Sequence, residues 1–113
     1  MAWAMVEETV TPDEIEYLVE SLDLRDREKI FKEFEEEIAK TVSRTALMKL
    51  RRGEIHLSNY RIVELMSVNE RAKEFVLDLA RKKALRLLDI VKKVEAVKIP
   101  KEILDKLAEA DEE

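Results

Sequence analysis

The chain has 113 residues, 46% of them hydrophobic and 42% charged, with a formal net charge of −5. That is enough apolar material for one small core and one domain. A single Gly, two Pro and no Cys exclude disulfide frameworks, thiolate metal sites and glycine-rich phosphate loops. With so few breakers and so much Glu, Lys, Leu and Ala, an all-α fold is expected, a compact bundle of five or six helices forming one domain over residues 1–113. No apolar run approaches the ~18 residues of a membrane span, and Ala2-Trp3-Ala4-Met5 is too short for a secretory apolar segment, so a cytoplasmic protein without a membrane partner is expected. Gln is absent and Asn occurs only at Asn59 and Asn69, a bias of proteins from hot environments.

Residues 1–10 read as a loose arm. Thr11, Pro12 and Glu14 then form a capping box with proline at the first helical position, opening a helix whose stripe is Ile15, Leu18, Val19 and Leu22. Asp23 or Asp26 caps a second helix that runs to about Lys40 and presents Ile30, Phe31, Phe34 and Ile38 on one face. Thr41, Val42 and Ser43 predict a turn, with Ser43 capping a third helix that ends at Arg52. In that helix Ala46, Leu47 and Leu50 point inward, and Gly53 supplies the left-handed residue that closes it. Ser58 caps a fourth helix bearing Ile62, Val63, Leu65 and Met66. Ser67-Val68-Asn69-Glu70 reads as a second capping box that opens the longest helix, about 68–94, whose apolar stripe drifts around its axis. Pro100 stops the chain and opens a last helix with Ile103, Leu104 and Leu107, followed by an acidic tail over 108–113.

The charges are segregated along the chain. Residues 1–39 carry −9, residues 40–61 carry +5, residues 62–98 carry +3 and residues 99–113 carry −4. A basic middle between acidic ends suits a DNA-facing edge on an otherwise repulsive chain, because phosphate contacts are local and a Debye length is about 8–10 Å at ordinary salt. Ordinary solvated helix faces account for the same charges.

Val42, Ser43, Arg44 and Thr45, then Leu47 and Leu50, then Gly53, then Ser58 leading to Ile62 and Leu65 resemble the second half of a Cro or phage-repressor helix-turn-helix domain, over residues 37–68. A similar pattern occurs near the N-terminus of some archaeal site-specific recombinases, whose catalytic domain has no counterpart here. The departure lies upstream, where Glu37-Ile38-Ala39 runs into Lys40-Thr41-Val42 without the usual glycine and about two residues short. The resemblance implies sequence-specific binding of double-stranded DNA, as a dimeric regulator of transcription or accessory factor. Carried over by position, it places Arg44, Thr45 and Lys49 against base edges and Ser43 beside a phosphate. Arg44 has the planar fork that matches guanine O6 and N7. Arg51, Arg52, Asn59, Tyr60 and Arg61 then become phosphate contacts, the last three near the start of the fourth helix, where free amides favour an anion. A single helix-turn-helix implies a homodimer, with Phe75, Leu79, Leu87, Leu88 and Val91 of the long helix as the dimer or partner face.

Two readings stay open at this level. The first is that DNA-binding protein. The second is a helical interaction subunit whose long helix docks on a protein partner and whose charges only solubilise it. An enzyme is not expected: His56 is the only histidine, no metal-ligand spacing or nucleophile set accompanies it, and no metal or cofactor is implied.

Overall fold

Capping chemistry sets most of the helix boundaries. The computed structural model describes residues 10–110, which form eight helices and no strand. In α1, Pro12–Glu20, Thr11 accepts from the Glu14 amide while the Glu14 carboxylate accepts from the Thr11 amide. In α2, Leu24–Glu33, Asp23 and Asp26 form the same reciprocal box. The expected single helix to Lys40 is interrupted at Phe34, whose backbone (φ −122, ψ 33) leaves helical geometry before α3, Glu35–Ala39, begins. Phe34 is fully buried, meets Phe75 edge-on at 5.5 Å and lies under the Arg71 guanidinium. Helix α4 spans Arg44–Arg52 and α5 spans Asn59–Val68.

The expected box at Ser67 gives way to a different cap. Ser67 stays within α5, its hydroxyl donating to the Glu64 carbonyl. Asn69 instead takes an extended backbone and accepts from the Ala72 amide, opening α6, Glu70–Arg81. Both are good capping residues, and the one with extended backbone takes the role. The expected long helix over 68–94 is two helices, because the chain turns at Lys82 to Ala84 before α7, Leu85–Ala96. Lys83 in that turn reaches Asp26 at 2.7 Å and Asp23 at 3.8 Å, tying the turn to the start of α2. Helix α8 spans Lys101–Ala110, so the described residues hold eight helices rather than five or six. Of the loose arm expected over 1–10, residues 1–9 lie outside the described residues, as does the end of the acidic tail, while Val10 is buried in the core rather than loose.

The core sits around α5, which packs on α1, α6 and α8, while α6 packs on α7 and α2. The apolar stripes expected of α1, α2 and α5 are buried there, as are Ile103 and Leu107 of α8 with Leu104 half-buried beside them, and Phe34, Ile62, Leu77 and Ile103 are among the largest fully buried side chains. Leu79, Leu87 and Val91, expected to face a second subunit, are buried in the same core, and Phe75 and Leu88 are half-buried. Breaking the long helix explains this correction: each half turns its own stripe inward. Among the described residues, no helix is long and apolar enough to cross a membrane.

Candidate nucleic-acid interface

Helix α4 is set off from the chain on both sides. The Thr41 amide and hydroxyl both donate to the Ile38 carbonyl at 2.9 Å, closing α3. Ser43 is extended, and its hydroxyl accepts from the Ala46 amide at 3.1 Å. The second and third expected helices therefore do not form one rod. At the other end Gly53 adopts φ 75, its amide bonding to Leu50 and the next amide to the Lys49 carbonyl. That double closure is the Schellman arrangement, which needs a left-handed residue at the cap.

Within α4 no residue is fully buried. Ala46, Leu47 and Leu50 are half-buried against the bundle, while Arg44, Thr45, Met48, Lys49, Arg51 and Arg52 are exposed. At about 100° per residue these six occupy one continuous arc of roughly 160°. The arc holds four cations, a hydroxyl, a methionine and no acid, and α4 takes part in none of the main helix packings. It is a shallowly seated helix with a uniformly basic outer face.

Arg44 and Lys49 carry no ion pair among the described residues. Arg51 meets Glu35 of α3 at 2.6 Å, and Arg52 meets Glu54 at 3.7 Å. Both pairs are solvent-exposed, where an ion pair contributes about 0–1 kcal/mol, so a phosphate can compete for either guanidinium. Ser43, expected beside a phosphate, is exposed at the head of the helix.

The residues at the start of α5 expected to contact phosphates also have partners within the fold. The Asn59 side-chain oxygen accepts from Arg27 at 3.0 Å. Arg61 donates to the Thr41 carbonyl at 3.0 Å, pairs with Glu64 at 3.1 Å and leans on the Tyr60 ring. Tyr60 is half-buried against the core. Asn59 and Arg61 thus hold the scaffold around α4, and the outward face of α4 does not include them. His56 is exposed and lines, with Val42, Ala46, Leu50 and Ile55, a groove of ≈280 Å³ beneath α4.

Sequence reading missed Arg27. It is buried, and its guanidinium donates to the carbonyls of Val19, Leu22 and Leu57 as well as to Asn59. It locks the α1–α2 turn to the end of the connector that follows α4. Nothing local marks it, since Leu57 lies 30 residues away. Among the described residues, no group of three His, Cys, Asp or Glu side chains could hold a metal ion.

Fold and site together define an all-helical chain that carries one shallowly seated helix with a basic outer face behind a turn. Compared with known proteins, it matches no family model, no curated protein and no solved structure.

Proposed function

We propose that this chain binds double-stranded DNA sequence-specifically through α4, as the second helix of a helix-turn-helix formed by α3, the Lys40 to Ser43 turn and α4. The observation that carries the reading is the outer arc of α4, where Arg44, Thr45, Lys49, Arg51 and Arg52 stand exposed with no acid among them. An α-helix with its side chains is about 10–12 Å across, and a major groove about 12 Å wide admits it. Arg44, Thr45 and Lys49 read base edges; Ser43, Arg51 and Arg52 grip phosphates. Asn59 and Arg61 position the helix, with Tyr60 packed beside them. The protein acts without catalysis, as a dimeric regulator or accessory factor.

Fluorescence anisotropy with labelled mixed-sequence duplex tests this. Affinity is expected to fall by an order of magnitude or more between about 50 and 200 mM salt, because each neutralised phosphate releases counterion. The Arg44→Ala, Lys49→Ala double variant is expected to lose most of the binding while keeping its helical content. Absence of binding at the lower salt would sink the reading.

The acidic surplus of the chain and the half-buried apolar side of α4 also suit a protein-docking module. The observation favouring that second reading is that α4 buries no residue fully and takes part in none of the main helix packings.

A further inference from the structure

An apolar cleft of ≈250 Å³ opens between α3 and α5, lined by Ile38, Leu65 and Val68 and rimmed by Glu37, Lys40, Arg61 and Glu64. Its floor is core: Ile38 and Leu65 are buried. Its lip is Val68, the last residue of α5, which is 77% exposed. Three of the polar groups around it have internal partners, since the Thr41 hydroxyl donates to Ile38, Asn69 accepts from Ala72, and Arg61 is spent on Thr41 and Glu64, while Glu37 and Lys40 keep their charges at the rim. The surface left over is a dry cleft beside a protruding aliphatic side chain, which water covers at a cost of about 25 cal/mol per Å² of apolar area.

We infer that this cleft seats a second copy of the same chain, in a two-fold pairing of α3 and α5 with their counterparts. Charge selects the occupant. The four rim charges sum to zero on a chain whose net charge is −5, so two copies can approach here without the repulsion they meet elsewhere. Glu37 and Lys40 carry no ion pair among the described residues; Glu37 lies on α3, and Lys40, three residues on, is the residue that caps its C-terminal end. When two α3 helices meet antiparallel across a two-fold axis, Lys40 of each copy faces Glu37 of the other, the reciprocal contact that an isologous interface requires. Val68 of each copy then enters the apolar cleft of the other. No residue of the outer arc of α4 lines the cleft.

Sedimentation velocity of the full chain, without DNA, tests the pairing and keeps its failure separate from any failure of DNA binding. Over about 5 to 500 µM the mass is expected to rise from 13.3 kDa toward twice that value. Val68→Glu, a change at an exposed position, is expected to stay monomeric with an unchanged circular dichroism spectrum. Glu37→Lys and Lys40→Glu are each expected to weaken association by roughly tenfold, and the double swap to restore most of it, since the pair interaction is recovered with its sign reversed. A wild-type chain that stays monomeric throughout overturns the inference, whether residues 1–9 or an unrelated protein fills the cleft instead. So does a Val68→Glu chain that dimerises normally, or a double swap no tighter than the single variants.

Discussion

Helices α4 and α6 carry similar apolar stripes in sequence and end up in opposite situations. Helix α6 buries Ala72, Lys73, Val76, Leu77, Leu79 and Ala80, with even the Lys73 ammonium tucked in to bond the Val97 carbonyl. Helix α4 buries nothing completely. The difference lies in neighbours: α6 is covered by α5, α7 and α2, whereas α4 joins none of the main helix packings. Charge follows the same division. The charged residues of α6 are of both signs, and those of α4 are all basic. An apolar stripe states which side of a helix faces the protein; how deeply it sits is decided by elements far away in sequence.

The sharpest way to break this contrast is to truncate one core residue and one residue of α4. Phe34→Ala is expected to cost about 3–5 kcal/mol in urea unfolding, because a fully buried ring leaves a cavity. Leu50→Ala on α4 is expected to cost about 1 kcal/mol, in proportion to its partial burial. Equal losses would make α4 a core helix and remove the basis for its shallow seating.

Arg27→Met comes next. It removes the guanidinium donor from the carbonyls of Leu22 and Leu57, and leaves Val19 with the Leu22 amide alone; a buried acceptor left unpaired costs about 1–3 kcal/mol where water cannot enter. A drop of about 2 kcal/mol or more is expected, accompanied by faster amide exchange over residues 53–58. A neutral substitution would show that the connector after α4 is held by something else.

Gly53→Ala isolates backbone strain. A Cβ there meets nothing within 4 Å, so the expected penalty of about 1 kcal/mol comes from the left-handed conformation alone. The loss is expected in the last turn of α4, read as amide exchange at Gly53 and Glu54, with the core unaffected.

The smallest effect belongs to the acidic side of the molecule. A hydrogen bond from Lys93 to Glu14, with the Thr11 cap, holds the Glu14 carboxyl below its ordinary 4.5. A depressed carboxylate stabilises the fold above its unfolded value, and that contribution fades as pH falls below 4.5 through the lower folded value. The unfolding free energies at pH 6 and pH 3, from urea titration, are expected to differ less in Glu14→Gln than in the wild type, by under about 1 kcal/mol for a half-buried pair that solvent still reaches. An identical pH response would remove Glu14 from the account.

Local chemistry made half of this architecture legible. Thr11 with Glu14, Ser43, Gly53 and Ser58 each carry a cap whose partners lie within five residues, and each acts where it was expected. The break between α3 and α4 was readable for the same reason. Phe34 and Ala84 were not readable as boundaries, since Phe34 is a buried aromatic in an apolar stripe and Ala84 caps α7 without a side-chain bond. Missing the Ala84 turn produced the long helix and, with it, a dimer face built from Leu79, Leu87 and Val91 that the core consumes. In the candidate interface, the exposed arc of α4 followed from helical spacing. The diversion of Arg61 to Thr41 and of Asn59 to Arg27 did not, because both depend on contacts about 20 to 30 residues away that no local pattern records.

Nitrogen-15 NMR of the full chain, titrated with a mixed-sequence duplex at low salt, tests the central claim most directly. Amide shifts are predicted to concentrate over Thr41 to Glu54 and to vanish as salt rises, with α6, α7 and α8 undisturbed. Shifts confined to another face, or none at millimolar duplex, would contradict the assignment of α4 as the DNA-reading helix.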